Sequence, residues 1–285
     1  MISVCGATGE LGGRVAARLS ERGVPIRMIV RDPARAPALP GAEVAVAAGY
    51  HDGDEMTAAL RGTDTVFLVS GRESPTRLDE HKRAVDAAVR AGVKRIVYTS
   101  FANASPDTAF ILGRQHHATE EYIRASGIAH TLLRDNMYLD FVPFMASQEG
   151  VIAGPADDGA AAFVARDDVA DVAVAVLTEP GHENAAHTLT GGSAMTLAEA
   201  AATMSEVTGR QIVYKDETVE EAYASRAQFG APDWEVEGWV TSYLAIAGGE
   251  LDTVTDVVQR LTGHAPMTLP QLLDRYPESW AHLTS

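Results

Sequence analysis

The sequence predicts an α/β protein whose core is a doubly wound parallel sheet. Three observations support this prediction. In the first half of the 285-residue chain, short β-branched runs alternate with amphipathic helical stretches, which is typical of βαβ units. The glycine-containing stretch GATGELG joins the first of these runs to the first helical stretch. After about residue 136 the alternation becomes irregular, which indicates a smaller, mostly helical cap that follows the core.

The elements of the core follow from hydrophobic periodicity. Each predicted strand is a short apolar run, and each predicted helix carries apolar residues at helical spacing. The predicted strands are residues 2–7, 25–31, 43–49, 64–71, 93–100, 129–135 and, as a late addition to the same sheet, 186–191. The predicted helices are residues 11–23, 54–62, 77–92, 115–126 and 167–178. Strands and helices in this order favour right-handed crossovers between parallel strands.

The second half of the chain predicts the cap. The stretches TLAEAAATMSEVTG, QIVYKDE and VEEAYASRAQFG indicate a small, mostly helical addition, and the polar tail is helical as well. We therefore expect a Rossmann dinucleotide-binding core in residues 1–150 and a mixed segment in residues 151–285. Within that segment, about 160–192 should complete the sheet and about 193–285 should form the substrate cap.

Composition excludes several classes of function. The chain has 23 Lys and Arg against 39 Asp and Glu, a formal net charge of −16, so direct nucleic-acid binding is not expected. No stretch approaches the roughly 20 apolar residues of a membrane span, and no signal peptide is expected at the N-terminus. A single cysteine, Cys5, excludes an internal disulfide and favours the cytoplasm. No metal-ligand spacing is present, and the oligomeric state is left open.

The stretch GATGELG predicts a dinucleotide site. Its glycines, Gly6, Gly9 and Gly12, follow a GxxGxxG spacing between an apolar strand and an amphipathic helix. In such a loop the first glycine permits a tight turn, the second lets the backbone approach phosphate, and the third lets helix and strand pack closely. The free amides of the first helical turn then face a pyrophosphate.

The end of the second strand favours NADPH as the cofactor, with NADH as the alternative. An acidic residue at this place usually binds the ribose 2′-hydroxyl of NAD. Here the sequence is IVRDP, so Arg31 offers a guanidinium to a 2′-phosphate while Asp32 offers a carboxylate to a hydroxyl. Arg35 adds a second cation nearby.

Several further segments occur in a specific order along the chain. GATGELGG is followed by VRDPARA, SGIAHTLLRDNMYLDF, ARDDVADVAVAVL, HTLTGG and finally TGHAPMTLPQLLDRY. In this order they resemble the NmrA-like family of atypical short-chain dehydrogenases over nearly the whole chain. The stretch HHATEEYIRASGIAHTLLRDNMYLDF is similar to the branch of that family that reduces quinones and triphenylmethane dyes.

The resemblance implies a set of site residues. The cofactor would be bound by Gly6, Ala7, Thr8, Gly9, Glu10, Leu11, Arg31, Val69, Ser70, Gly71, Thr99, Ser100, Phe101, His116 and Asn136. An apolar substrate pocket would contain Phe101, Met137, Tyr138, Phe141, Phe144 and Trp234. Of these residues, His116 and Tyr138 are the candidate catalytic side chains.

The usual acid of short-chain dehydrogenases is missing. The corresponding Tyr-x-x-x-Lys positions carry Leu112 and His116. Hydride transfer to a quinone is less demanding, because the ring delocalises the incoming electron pair and water can protonate the product. His116 then binds the nicotinamide ribose, supplies a proton near neutral pH, or is only a packing histidine.

Three functions remain open at this point. The favoured one is an NAD(P)H-dependent reductase of quinones or related polycyclic aromatic compounds. The first alternative is an aromatic-polyketide tailoring oxygenase or hydroxylase that uses NAD(P)H. The second alternative is a non-catalytic regulator that senses the NAD(P) redox state.

Overall fold

The computed structural model describes residues 1–283. Its strands are β1 (Ile2–Cys5), β2 (Ile26–Val30), β3 (Ala42–Val46), β4 (Thr65–Leu68), β5 (Arg95–Phe101), β6 (Ala129–Asp135), β7 (Val151–Gly154), β8 (Ala160–Ala161), β9 (Ala185–Leu189), β10 (Met195–Thr196) and β11 (Val213–Asp216). Its α-helices are α1 (Glu10–Glu21), α2 (Gly53–Leu60), α3 (Arg77–Arg90), α4 (Ile111–Ala125), α5 (Arg166–Thr178), α6 (Leu197–Thr208), α7 (Val219–Arg226), α8 (Asp233–Ala247), α9 (Val257–Thr262) and α10 (Leu269–Arg275).

The main sheet has seven strands in the order β3-β2-β1-β4-β5-β6-β9. Strand β1 pairs in parallel with both β2 and β4. From β1 the order continues through β2 to β3 on one side, and from β4 it continues through β5 and β6 to β9 on the other. The predicted doubly wound parallel sheet is therefore confirmed. In such a sheet, ligands bind beyond the carboxyl ends of the strands, where the strand order reverses.

Burial explains why these segments became strands and helices. All seven residues of β5 are buried, as expected of a central strand covered on both faces. Strand β3 lies at the edge of the sheet and is partly exposed. Helix α1 buries Leu11, Val15 and Leu19, whose spacing forms one apolar stripe. None of the helices in residues 1–283 is both long enough and apolar enough to cross a membrane.

Some boundaries differ from the sequence-based expectation. Helix α4 begins at Ile111, one turn before the expected residue 115. The stretch QIVYKDE contains β11, which pairs in parallel with β7, so the C-terminal region also contains strands. Strand β10 pairs antiparallel with the two-residue β8. The paired residues of β7 and β11 lie about 60 positions apart in the chain. Local periodicity does not reveal a pairing of this kind.

The chain packs as two compact units that interleave along the sequence. The first unit comprises Met1–Ser100, Gln115–Arg134 and Asp167–His187. The second unit comprises Phe101–Arg114, Asp135–Arg166 and Thr188–Ser285. The domain boundaries expected near residues 150, 160 and 193 stay a prediction.

A buried carboxylate ties β5 to β6 in the first unit. Glu120 of α4 is fully buried, accepts a hydrogen bond from Ser100 Oγ at 2.6 Å, and accepts two from Arg134 at 2.8 and 2.6 Å. Burial raises the pKa of Glu120, but the Arg134 guanidinium and the Ser100 hydroxyl together hold it below its usual value. The carboxyl ends of these two strands are thereby held in register.

Helix α1 and the turn after β1 approach each other as closely as glycine allows. A Cβ on Gly12 would lie 2.3 Å from the carbonyl oxygen of Gly6 and 2.9 Å from that of Cys5. Both are backbone atoms, so neither can swing aside. At Gly13, one residue further along the helix, the nearest atom to a Cβ would be the oxygen of Ala7 at 3.2 Å.

We expect Gly12→Ala to lower the free energy of unfolding by about 2 kcal/mol or more, because overpacking against backbone costs that much. Gly13→Ala is the matched control, since the gain in helix propensity is the same at both positions. Urea unfolding followed by circular dichroism measures the difference. Equal stability of the two variants would contradict the close packing at Gly12.

Candidate functional site

The loop after β1 presents unpaired backbone amides. Gly6 adopts a positive φ of 68°, and Gly9 N–H closes the turn on Gly6 O at 2.9 Å. Helix α1 begins at Glu10, and within residues 1–283 no side chain caps its N-terminus. The Glu10 carboxylate bonds Arg14 one turn later, at 2.7 Å. The first-turn amides therefore point at an open position with the positive end of the helix dipole.

These residues fit the diphosphate of a dinucleotide. A Cβ on Gly9 would lie 3.3 Å from Gly6 O, and a Cβ on Gly6 would meet Val69 at 3.4 Å. A side chain at Gly6 is disfavoured by the positive φ of that residue, and one at Gly9 would press on the Gly6 carbonyl. The glycines predicted from the sequence thus form a cradle at a helix N-terminus, which is a general anion site.

The two charged residues that follow β2, Arg31 and Asp32, have different surroundings. Asp32 Oδ1 accepts the N–H of Ala34 at 2.9 Å and caps the short 3₁₀ helix Pro33–Arg35. Arg31 is exposed immediately after the strand. One Asp32 oxygen is therefore used by its own turn, and the exposed Arg31 guanidinium beside it offers a cation to a ligand.

The segment after β4 is held by hydrogen bonds at each of its three residues. Val69 O accepts from Tyr50 OH at 2.7 Å, and Ser70 N–H donates to Thr99 Oγ1 at 2.7 Å. Gly71 is fixed on both sides, as its N–H donates to His81 Nε2 at 2.8 Å and its carbonyl accepts from Arg77 Nε at 2.9 Å. The backbone at positions 69–71, predicted to contact the cofactor, is therefore rigidly placed.

The partners of Gly71 belong to a buried network. Arg77 Nη2 lies 2.8 Å from His116 Nε2, and His116 Nδ1 lies 3.0 Å from Tyr98 OH. His81 Nδ1 lies 3.0 Å from Thr119 Oγ1. Since Arg77 and the Gly71 amide can only donate, the Nε2 atoms of both histidines accept, and the ring protons reside on Nδ1.

The network keeps both imidazoles neutral. Burial, with the adjacent Arg77 charge, lowers the pKa of His81 to about 3. Burial, followed by the effects of Arg77 and His81, holds the pKa of His116 well below its usual value.

The surroundings of His116 bear on one of its expected roles. The residue is 7% exposed, burial is the largest cause of its lowered pKa, and each ring nitrogen faces a protein partner. These features do not favour a proton donor at neutral pH. The roles of His116 as a proton donor and in binding the nicotinamide ribose both stay predictions.

In the second unit, Asn136 and Tyr138 follow directly on β6. Asn136 is buried, and its side chain bonds Leu251 O and the Met137 amide at 2.9 and 2.7 Å. Tyr138 OH donates to Asp135 Oδ2 at 2.9 Å. Burial raises the pKa of Asp135 to about 8, and it raises that of Tyr138 well above 10.

The predicted pocket aromatics separate into distinct environments. The rings of Tyr138 and Phe141 lie 6.1 Å apart, and the Arg166 guanidinium covers both, at 4.7 and 4.4 Å from their centroids. Phe141 and Phe144 are 50% and 62% exposed. The remaining predicted residues are placed differently: Phe101 packs on Phe110, Met137 packs against the core of this unit, and Trp234 is half-buried in the first turn of α8.

Sequence reasoning missed several side chains of these surroundings. His81 shares a helical face with Ala84, Val85 and Ala88, and that spacing was a usable signal that it is buried. Arg166 stands in ARDD, which indicated only a helix start. Asp135 ends an apolar strand and is followed three residues later by Tyr138. That spacing was a usable signal that the carboxylate and the phenol lie close together.

The neutral state of His81 predicts a pH dependence of stability. The unfolded chain binds a proton on this residue at a higher pH than the folded chain does, so stability falls as the pH drops from about 6.5 towards 3. Between pH 7 and 5 we expect His81 to account for a loss of about 2 kcal/mol in the free energy of unfolding.

Urea unfolding at each pH measures this loss, and His81→Gln should reduce it by that amount. His117→Gln, at a half-buried position of α4, is the control variant, and the difference in slope between the two variants measures the contribution of His81. A wild-type slope in the His81 variant would show that the residue is not held neutral.

Comparison with known proteins gives a consistent assignment. The NmrA-like family matches residues 1–231. Quinone oxidoreductase 2 of Escherichia coli (strain K12) is 36% identical over 281 residues, which cover 95% of this chain and 96% of the relative. An E. coli NADPH-dependent quinone oxidoreductase solved with NADPH has a TM-score of 0.89 at 34% identity and covers 96% of this chain and 99% of its own.

A triphenylmethane reductase from Citrobacter sp., solved with NADP(H), has a TM-score of 0.86 at 32% identity, with 96% of this chain and 99% of that chain covered. The resemblance inferred from the motifs is thus confirmed over nearly the full length of the chain. With its glycine cradle, its doubly wound sheet and these matches, the chain belongs to the NmrA-like family.

Proposed function

We propose that this protein is an NADPH-dependent oxidoreductase that reduces quinones or related polycyclic aromatic compounds. The observation that carries the proposal is the uncapped N-terminus of α1 above the Gly6–Gly12 turn, which is shaped for a diphosphate. The solved relatives named above bind NADPH or NADP(H), which supports the same cofactor here. NADPH supplies a hydride when it is bound.

The residues of the first unit bind and orient the cofactor in this proposal. The amides of Glu10 and Leu11 hold the diphosphate, and Arg31 binds the 2′-phosphate. The segment of Val69, Ser70 and Gly71, fixed by its three sets of hydrogen bonds, lines the cofactor groove together with Thr99 and Ser100. The acidic chain attracts an anionic ligand only through such local donors.

The second unit supplies the aromatic substrate site in this proposal. Tyr138 and the exposed Phe141 present aromatic surface directly after β6. Phe144, which is also exposed, stacks on His282. Apolar and aromatic walls with few polar groups are typical of sites for flat aromatic ligands. The proposal includes a substrate cap in about residues 193–285. It also includes a cytoplasmic location, which suits a chain whose single cysteine, Cys5, is buried and free.

Turnover tests the proposal directly. Purified protein should consume NADPH in the presence of a panel of benzoquinones and naphthoquinones, with the hydroquinone as the product. Tight NADPH binding without turnover of any quinone would favour the regulator instead. Incorporation of oxygen from O₂ into the product would favour the tailoring oxygenase.

Arg31 provides a test of cofactor choice. We expect Arg31→Ala to raise the dissociation constant for NADPH by about 10-fold or more, since a charge-assisted bond to phosphate is lost, and to leave that for NADH unchanged. Isothermal titration calorimetry measures both constants. Arg35→Ala, at the end of the 3₁₀ helix that follows Arg31, is the control, and its effect should be smaller. Equal weakening of NADH and NADPH would contradict the role of Arg31.

A further inference from the structure

Asp135 is the buried ionisable group that the proposed function does not yet use. It is the last residue of β6, and 2% of it is exposed. Its Oδ2 accepts from Tyr138 OH, whereas its Oδ1 is buried and has no hydrogen-bond partner among residues 1–283. Burying an ionised carboxylate with one oxygen unsatisfied is costly, and the cost falls when the group carries a proton.

The surrounding groups do not neutralise Asp135 by pairing. Tyr138 is its hydrogen-bond partner, and the charged groups beyond the Tyr138 ring are Arg166 and Asp140. Those two are engaged with each other, at 3.5 Å between Arg166 Nη1 and Asp140 Oδ1 and 2.9 Å between the Arg166 amide and Asp140 Oδ2. Arg166 therefore stacks on the tyrosine ring and does not reach the carboxyl group of Asp135 as an ion pair.

The backbone around the pair is fixed. Asp135 O accepts from the Ala102 amide at 2.9 Å, and Tyr138 is bracketed by bonds from Val164 N to Met137 O at 3.0 Å and from Leu139 N to Val164 O at 2.9 Å. The carboxyl group and the phenol are therefore held at hydrogen-bond distance by two different anchors. A fixed donor and acceptor at this distance can exchange a proton without rearrangement of the chain.

We propose that Asp135 and Tyr138 form a proton relay for the reduction of the aromatic substrate. The inference rests on the proposed function and deepens it. The quinone accepts a hydride from bound NADPH and becomes a hydroquinone anion. When Asp135 carries its proton on Oδ2, the 2.9 Å hydrogen bond runs from Asp135 to the Tyr138 oxygen, and the phenolic hydrogen turns towards the substrate. Tyr138 then gives its phenolic proton to the oxygen of that anion as Asp135 passes its carboxyl proton to the Tyr138 oxygen. The Asp135 carboxylate takes up a proton from water after the product leaves, which closes the balance.

The relay predicts which reactions depend on it. A quinone needs one proton in addition to the hydride, whereas a triphenylmethane cation becomes neutral when it accepts a hydride and needs none. The relay should therefore accelerate quinone reduction by a much larger factor than reduction of the cation. A residue with a purely structural role would affect both acceptors alike.

The test compares wild type, Asp135→Asn and Tyr138→Phe with both acceptors from pH 6 to 10. For wild type, kcat/KM with the quinone should fall above about pH 8, the pKa to which burial raises Asp135. Both variants should lose about 10-fold or more of this kcat/KM at pH 7, since general acid catalysis is worth that much, and the pH limb should be absent in Asp135→Asn. Asp140→Asn, which removes a neighbouring carboxylate, should retain the limb.

Two results would overturn the relay. One is a quinone pH profile in Asp135→Asn that matches wild type, and the other is an equal loss with quinone and cation in both variants. The affinity for NADPH should stay within about 3-fold of wild type, because neither residue is placed at the diphosphate. Should Asp135→Asn fail to fold, Tyr138→Phe carries the same comparison, as it removes only the hydroxyl.

An infrared measurement on the cofactor-free protein separates this inference from the proposed function. The difference spectrum of wild type minus Asp135→Asn should contain the carbonyl stretch of a protonated carboxyl group at pH 6.5, and the band should vanish above pH 9. For Tyr138→Phe the same band should persist. Absence of the band at pH 6.5 rejects the relay even when quinones are reduced. Absence of quinone turnover with the band present rejects the proposed function instead.

Discussion

The approach of α1 to the turn after β1 is the constraint on which the rest of the site depends. Because Gly12 packs against the carbonyls of Gly6 and Cys5, helix α1 begins close to the carboxyl end of β1. Three other helices of the chain have side-chain caps: Asp52 caps α2, Thr196 caps α6 and Thr218 caps α7. At α1 a glycine occupies that position, so the helix amides stay available to a ligand.

Local electrostatics must work against the charge of the whole chain. A net charge of −16 opposes an anionic dinucleotide at long range. In the first unit, the buried Arg77 cation is bonded to Gly71 O, Gln115 Oε1 and His116 Nε2, which are neutral acceptors. Its charge is therefore not cancelled by a bonded carboxylate, and it lies beside the segment predicted to contact the cofactor. Neutral histidines suit this place, because they accept from Arg77 and Gly71 without adding charge.

Much of the fold could be predicted from the sequence, and so could the glycine cradle. The core strands and helices carry strong periodicity, and the glycines have a local, physical reason to be where they are. The proton-carrying groups were harder, because their behaviour depends on burial. His116 sits next to His117 in the sequence, yet only the fold buries it beside Arg77 and His81, which holds its pKa well below the usual value. Strand β11 was missed because its partner, β7, is distant in sequence.

The placement of acid groups bears on the direction of the chemistry. Oxidation of an alcohol needs a base, which the tyrosine–lysine pair of short-chain dehydrogenases provides by lowering the pKa of the phenol; here Leu112 and His116 stand at those positions. At Tyr138 the effect is opposite, since burial and then the neighbouring Asp135 raise the pKa of the phenol well above 10. A phenol with so high a pKa is a poor base at neutral pH, and it is a useful acid only when Asp135 replaces its proton in the same step. The arrangement after β6 is therefore suited to protonating a reduced product and not to drawing a proton from an alcohol.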